Sequence, residues 1–168
     1  SERRTVSVDT VLNYLTYCTE AFLLRRVPRH DLISKRILAV EEKYYVVDHG
    51  LREAMGLSNS AAIEVVLENI VCNELTSRGW TVGVGRAGAQ EVDFVARREA
   101  QVLYVQVSYL LASEETRHRE FGALLAVPDN HPKLVLSLDP LSLGHDGVEH
   151  RNLVEWLLAA GDDGVGAR

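Results

Sequence analysis

Residues 67–109 read LENIVCNELTSRGWTVGVGRAGAQEVDFVARREAQVLYVQVSY, and this stretch decides the fold. Apolar residues first recur at helical spacing until Gly79, which predicts a helix over about residues 62–78. Valine, tyrosine and phenylalanine then alternate with other residues in three runs. These runs predict three strands, at about residues 81–85, 91–96 and 102–109. A helix followed by a three-stranded meander is therefore the expected centre of the protein.

The segments after this meander extend it to an α/β domain. Residues 114–126 predict a helix, residues 134–138 a further strand and residues 153–160 a last helix. The expected order over residues 61–160 is thus α-β-β-β-α-β-α around a mixed central sheet. The tail at 161–168 is expected to be flexible.

Residues 1–57 predict a second and smaller part of the molecule. One helix, a hairpin and a short helix are too little to bury a hydrophobic core on their own. We interpret this part as a partial winged-helix-like unit and the chain as a fragment of a longer one. Its expected elements are a helix capped by Ser7 and ending near Leu24, a hairpin over 36–48 with its turn at 41–43, and a short helix from Leu51 to Met55.

The composition is that of an ordinary globular protein. The chain has 168 residues, of which 46% are hydrophobic and 25% are charged, which suits one domain or slightly more. Neither a membrane-spanning segment nor a signal peptide is predicted. The two cysteines, Cys18 and Cys72, lie in predicted helices and are expected to be buried free thiols. These features predict a cytoplasmic protein with no membrane partner.

Negative charge is concentrated in the second part of the chain. Residues 1–60 carry a net charge of +1 and residues 61–168 a net charge of −7, which together give −6. A free-standing DNA-binding protein usually has a basic surface, because phosphate contacts supply most of its affinity. Any DNA contact must therefore come from local clusters of basic residues or from a partner.

Polar residues recur at three places in the meander and suggest a site. Glu68 lies on the helix, Asp93 on the second strand and Gln106 on the third. Carboxylate and amide oxygens are suitable ligands for Mg²⁺, and aspartate is disfavoured inside strands unless it has a role. We expect the three side chains to converge on one divalent cation, with Asp93 as the primary ligand. Such a cation would polarise a phosphate and activate a water molecule.

The serine at position 108 disfavours catalysis at this site. Ser108 lies two residues after Gln106 on the same face of the strand, where hydrolysis would require a lysine to stabilise negative charge. The only lysine after residue 43 is Lys133, on a different strand, so no replacement lysine is expected.

These segments together resemble the PD-(D/E)XK nuclease superfamily, and within it the Holliday-junction resolvases. In those resolvases the helix glutamate is followed by leucine after seven residues and by glycine after eleven, as at 68, 75 and 79 here. Asp93 matches the hairpin aspartate, and Gln106-x-Ser108 matches the Glu-x-Lys strand. The resemblance implies a degenerate site in which Glu68, Asp93 and Gln106 are relict catalytic and metal positions and Ser108 replaces the lysine.

The whole chain also resembles a narrower group, the domain of unknown function that follows the AAA+ module in many prokaryotic ATPases. The matching phrases are KYYVVDHGLR at 43–52, LENIV at 67–71, EVDF at 91–94, YVQV at 104–107 and FGALL at 121–125. This resemblance implies an upstream AAA+ module as a partner in the parent chain. ATP would bind only there, because this chain contains no Walker lysine motif.

Three functions are compatible with the sequence. The favoured one is an accessory or regulatory domain of a prokaryotic AAA+ ATPase that binds nucleic acid or a protein without catalysing a reaction. The first alternative is a Mg²⁺-dependent DNA endonuclease with a modified site. The second is a pure protein-interaction module that could pair with another copy of itself. Loss of the lysine, Gln in place of Glu and the acidic charge favour the first function.

Overall fold

A computed structural model describes residues 6–56 and 63–159. The described residues form five helices and seven strands. The helices are α1 (Val8–Glu20), α2 (His49–Ala54), α3 (Ile63–Ser77), α4 (Glu114–Leu125) and α5 (Leu153–Leu158). The strands are β1 (Leu24–Asp31), β2 (Arg36–Val46), β3 (Thr81–Ala87), β4 (Gln90–Arg98), β5 (Gln101–Val107), β6 (Lys133–Ser137) and β7 (Glu149–Asn152).

All seven described strands belong to one mixed sheet, in the order β2-β1-β3-β4-β5-β6-β7. The pairs β1–β2, β3–β4 and β4–β5 are antiparallel, whereas β1–β3, β5–β6 and β6–β7 are parallel. Side chains of α3 and α5 pack into one hydrophobic cluster with the sheet, and side chains of α4 pack into another. The prediction of an α/β protein with a mixed central sheet is therefore confirmed.

The predicted order of elements after residue 62 is confirmed, with one addition. The helix, the three-strand meander, the second helix, the fourth strand and the last helix all occur near their expected positions. Gly79 follows α3 with a φ of +82°, a left-handed conformation that suits glycine at a helix end. The short strand β7 was missed because its sequence, EHRN, has no apolar alternation.

The prediction of the first hairpin is wrong. The expected turn at 41–43 does not exist, and β2 is a single strand through that region. Its partner is β1, in the segment 25–28 that was expected to end a helix. The turn lies between them, where the Asp31 carboxylate accepts hydrogen bonds from the N–H groups of Ile33 and Ser34.

Sequence analysis did not predict β1 because its sequence, LRRVPRHD, has four basic side chains and a proline. Only Val27 is buried in the core, at 1% exposure. Pro28 lies where the β1–β2 register shifts, between Val27 and Arg29. A proline is tolerated at such a bulge because no ladder hydrogen bond is needed from it there.

The hairpin continues the central sheet. Residues 29–31 of β1 pair in parallel with residues 84–86 of β3. The strands that were expected to form a separate wing are thus part of the sheet that carries the candidate site. The division of the chain at residue 57 stays a prediction, and the segments 57–62 and 160–168 lie outside the described residues.

Two asparagines attach α3 to the end of β2. The Asn69 side chain, 5% exposed, accepts a hydrogen bond from the Val46 N–H at 2.8 Å and donates one to the Val46 carbonyl at 2.9 Å. Asn73 donates to the same carbonyl at 3.0 Å. An amide side chain thereby takes the place of a neighbouring strand. This attachment holds the last residues of β2 against the first half of α3.

The predicted helix at the N-terminus is confirmed, but it ends at Glu20 and not near Leu24, and none of its residues is buried. Ser7 caps α1 by accepting a hydrogen bond from the Thr10 N–H. Its large exposed side chains, with their exposed fractions, are Val8 (74%), Val11 (46%), Leu12 (49%), Tyr14 (64%) and Tyr17 (61%).

No helix within the described ranges is both long enough and apolar enough to cross a membrane. Cys18 and Cys72 are both free thiols, as predicted. Cys72 is buried as expected, whereas the prediction of burial is wrong for Cys18, which is partly exposed on α1.

Candidate functional site

Asp93 lies at an irregularity in β4. Val95 pairs with Gly83 and Val92 with Gly85, so β4 has one residue more than β3 between these pairs. Such a bulge redirects a side chain. The regular pairing of β4 with β5 covers Phe94 to Arg98 and does not include Asp93. In the gap, the Asp93 Oδ2 accepts a hydrogen bond from the Val107 N–H at 2.8 Å. The bulge thus explains an aspartate in mid-strand that is only 7% exposed.

Burial makes the Asp93 carboxyl group a weak acid. Loss of hydration, and then the nearby negative charge of Glu68, raise the pKa of Asp93 to about 8. The hydrogen bond from Val107 and the charge of Lys43 lower the pKa but do not compensate. Burial therefore favours the neutral form of the Asp93 carboxyl group, and a cation would have to displace its proton in order to bind.

Glu68 reaches the same region from α3. Its Oε2 lies 3.3 Å from the Lys43 Nζ and accepts a hydrogen bond from the Tyr45 hydroxyl at 3.3 Å. Lys43 and Tyr45 are two residues apart on β2, which places their side chains on the same face of the strand. The attachment of β2 to α3 through Asn69 brings these partners to Glu68.

Lys43 also contacts Glu91. The Lys43 Nζ lies 2.6 Å from the Glu91 Oε1, and Arg29 binds the other carboxylate oxygen at 2.5 Å. Burial lowers the pKa of Lys43, but the hydrogen bond to Glu91 and the charges of Glu68, Glu91 and Asp93 raise it above its ordinary value. Burial raises the pKa of Glu91, and the bonds from Lys43 and Arg29 more than reverse this. Both groups are therefore charged at neutral pH.

Gln106 is directed toward α4. Tyr104 packs with α4 whereas Val105 and Val107 pack with α3, so alternation places Gln106 on the α4 face. Its Oε1 accepts a hydrogen bond from the Asp93 N–H at 3.2 Å, and its Nε2 donates to Glu120 at 2.8 Å. Glu120 is 4% exposed and also binds Arg119. The amide oxygen of Gln106 is therefore already used within the protein.

Ser108 is completely buried. Its N–H donates to the Leu136 carbonyl at 2.9 Å, and its hydroxyl lies 3.4 Å from the Leu110 carbonyl. A side chain with no exposed surface cannot contact a phosphate group in solution. The position that a nuclease-like site would give to a lysine is thus part of the protein interior.

The structure brings the predicted residues near one another, and a cation site formed by them stays a prediction. The Asp93 carboxylate accepts a hydrogen bond from the backbone of β5, and the charge of Glu68 raises its pKa. Gln106 accepts a hydrogen bond from the N–H of Asp93, and its side chain extends toward α4. Within residues 6–56 and 63–159, no group of three or more His, Cys, Asp or Glu side chains is arranged to hold a metal ion. The Glu68 Oε2, the Asp93 Oδ2 and the Gln106 Oε1 already have protein partners, and these contacts would compete with a bound Mg²⁺.

Sequence analysis missed three members of this site: Lys43, Glu91 and Glu120. Lys43 was placed in a turn, although it begins the phrase KYYVVDHGLR that carried the narrower resemblance. Glu120 stands one turn before Leu124, which is buried, and this spacing could have placed it on the apolar face of α4. Glu91 shows no signal beyond its position two residues before Asp93.

Comparisons with known proteins found a family model and a relative that match this chain. Residues 2–61 match the model of a family described as a domain of unknown function, DUF8612. The chain is also 36% identical over 159 residues to an "Uncharacterized protein" of Haemophilus influenzae, and this similarity covers 94% of the chain. No solved structure matches.

The Haemophilus relative is much longer than the matched segment. The chain spans 39% of that curated relative's length. The 159 matched residues then imply a relative of about 410 residues, of which about 250 lie outside the match. This length is enough for at least one further domain, since domains usually have about 100–200 residues.

Proposed function

We propose that this chain is the C-terminal accessory domain of a prokaryotic AAA+ ATPase and that it binds a partner without catalysing a reaction. Its core would be a nuclease-like fold of the PD-(D/E)XK kind whose site has become structural. The observation that carries this proposal is the internal pairing of the site. Lys43 and Tyr45 bind Glu68, the Val107 N–H binds Asp93, and Gln106 binds Glu120.

Two features support a protein as the partner. The first is α1, whose large side chains are exposed although many of them are apolar. Exposed apolar patches commonly mark surfaces that bind other proteins. The second is the additional length of the Haemophilus relative, which leaves room for another domain in the same chain. The occupant we propose for the exposed face of α1 is the ATPase module of the parent chain.

We expect no cleavage of linear duplex, single-stranded or four-way-junction DNA by the purified chain in Mg²⁺ or Mn²⁺. Losing one group that stabilises charge in the transition state costs about 10²–10³ in rate. Poor occupancy of the metal position would lower the rate further. The measurement is a time course of labelled DNA resolved on denaturing gels, with an active junction resolvase as the positive control.

Asp93→Ala is the matched variant for this assay. If the unmodified chain cleaved DNA with Mg²⁺ and Asp93→Ala abolished the cleavage, the proposal would be wrong and the endonuclease alternative would replace it. Cleavage that survives Asp93→Ala would instead indicate a contaminating nuclease.

We also expect the isolated chain to bind duplex DNA only weakly. Its net charge is −6, and the acidic excess lies in residues 61–168, so few phosphates can be neutralised. Fluorescence anisotropy with a labelled duplex should give a dissociation constant above about 10⁻⁴ M near neutral pH, even at low salt. Tight binding that weakens steeply with added salt would favour nucleic acid over protein as the partner.

A further inference from the structure

We propose that the Lys43 ammonium group serves as the built-in cation of this site, and that it holds Glu68 and Glu91 in a metal-free arrangement. This inference rests on the proposed non-catalytic function and specifies how the chain prevents metal binding. Lys43 would thus be an internal replacement for a divalent ion rather than a group that acts on a substrate.

The contacts of Lys43 resemble those of a bound cation. Its Nζ lies between the Oε1 of Glu91 on β4 at 2.6 Å and the Oε2 of Glu68 on α3 at 3.3 Å. Two carboxylate oxygens from different elements thus face a single positive charge, which is the donor set that Mg²⁺ or Mn²⁺ prefers. The lysine side chain is 28% exposed, so solvent screens these ion pairs only in part.

The local charges are balanced around this lysine. Glu68 and Glu91 provide two negative charges, and Lys43 and Arg29 provide two positive charges. Arg29 binds the Oε2 of Glu91, whereas Lys43 binds the Oε1. Removing the lysine charge would leave the Glu68 Oε2 with the hydrogen bond from the Tyr45 hydroxyl. The remaining three charged groups would then carry a net charge of −1, which favours the binding of an added cation.

The positions of the three elements explain why the lysine occupies this place. β2 is held to α3 by the paired hydrogen bonds between Asn69 and Val46. Lys43 lies three residues before Val46 on the same strand, and its side chain extends over the gap between α3 and β4. A mobile ion would have to compete with a group that is covalently fixed at this site.

The test compares Mn²⁺ binding by the unmodified chain and by Lys43→Met, measured by titration calorimetry and by the electron paramagnetic resonance of free Mn²⁺. Methionine keeps much of the length of the side chain but removes its charge. We expect Lys43→Met to bind Mn²⁺ at least about tenfold more tightly than the unmodified chain. Lys43→Arg should bind no better than the unmodified chain. Lys35→Met, in the exposed turn between β1 and β2, is the matched surface control.

A second substitution locates any binding that is gained. Adding Glu91→Gln to Lys43→Met should remove the gain, because it removes one of the two carboxylates. Equal Mn²⁺ affinity in the unmodified chain and Lys43→Met would overturn the inference, as would a gain that survives Glu91→Gln. If Lys43→Met is unfolded, Mn²⁺ should restore its circular dichroism spectrum, and failure to do so would equally overturn the inference.

These outcomes are separate from those of the cleavage assay. DNA cleavage by the unmodified chain would overturn the proposed function, whatever Lys43→Met binds. Unchanged Mn²⁺ affinity in Lys43→Met would overturn only the role of the lysine and would leave the accessory-domain proposal in place.

Discussion

Replacing Asn69 with alanine is expected to lower the free energy of unfolding by about 2–4 kcal/mol. The substitution removes two hydrogen bonds to Val46 and leaves the Val46 N–H without the partner at 2.8 Å that the native protein supplies. A partly buried donor left without a partner costs more than the net value of the bond it has lost. In a domain of this size the melting temperature should fall by roughly 4–16 °C. Urea denaturation followed by circular dichroism provides the measurement.

Asn73→Ala is the matched control for Asn69→Ala. Asn73 donates only to the carbonyls of Val46 and Val47, and the Val46 carbonyl keeps its bond from Asn69. Its loss should cost less than about 1 kcal/mol. If the two variants were equally stable, the paired amide–backbone contact would not be what holds β2 against α3.

Asp93→Asn is expected to stabilise the protein at alkaline pH and to change its stability little in acid. The pKa of Asp93 is about 8 in the folded protein and near 3.8 in the unfolded chain. A raised pKa means that the folded state holds its proton more strongly. The resulting contribution to stability is complete below about pH 4 and is lost as the pH rises toward 8. Asparagine cannot ionise and so avoids this loss.

The measurement is the difference in the free energy of unfolding between Asp93→Asn and the unmodified chain from pH 5 to pH 9. The difference should grow in favour of Asp93→Asn by more than about 2 kcal/mol, since each unit of pKa shift corresponds to about 1.4 kcal/mol. Glu114→Gln, at a side chain that is 83% exposed, should show no such trend. Parallel curves for Asp93→Asn and the unmodified chain would show that the carboxyl group is ionised at neutral pH.

The substitutions of Asn69 and Asp93 both bear on the proposed function, because both measure how polar residues near the site affect the stability of the fold. In a metal-dependent hydrolase, the carboxylates are kept available for a cation at some cost to stability. Here the Oε2 of Glu68, the Oδ2 of Asp93 and both carboxylate oxygens of Glu120 are bound by groups of the protein itself. A site of this kind contributes to folding, and we therefore expect its polar residues to affect stability more than activity.

The elements that sequence analysis predicted correctly are those with a strong local signal. α1 has a serine cap and apolar residues at helical spacing, and β4 and β5 are rich in valine and aromatic residues. These signals depend on residues within a few positions of one another. β1 and β7 lack such a signal because polar side chains dominate both sequences, and they are strands because neighbouring strands supply their hydrogen bonds.

The candidate site, too, was predicted only in part. Glu68, Asp93 and Gln106 were recognised from their order along the chain, but the directions of their side chains were not. The bulge at Asp93 requires the pairing of β4 with β3, and the contact of Gln106 with Glu120 requires α4 to lie against the sheet. Lys43 was missed because β2 was divided by a predicted turn. Without that strand, nothing placed Lys43 near Glu68.

The sequence by itself determined the α/β class, the order of helices and strands after residue 62 apart from β7, and the excess of negative charge in that region. Caps, periodicity and composition are properties of neighbouring residues, so they can be read without the fold. Only the tertiary structure decided the position of β1 in the sheet, the ion pairs of Lys43 and the protonation of Asp93. These depend on contacts between residues 14–62 positions apart and on burial from water, because both arise only when the strands pair and the helices cover them.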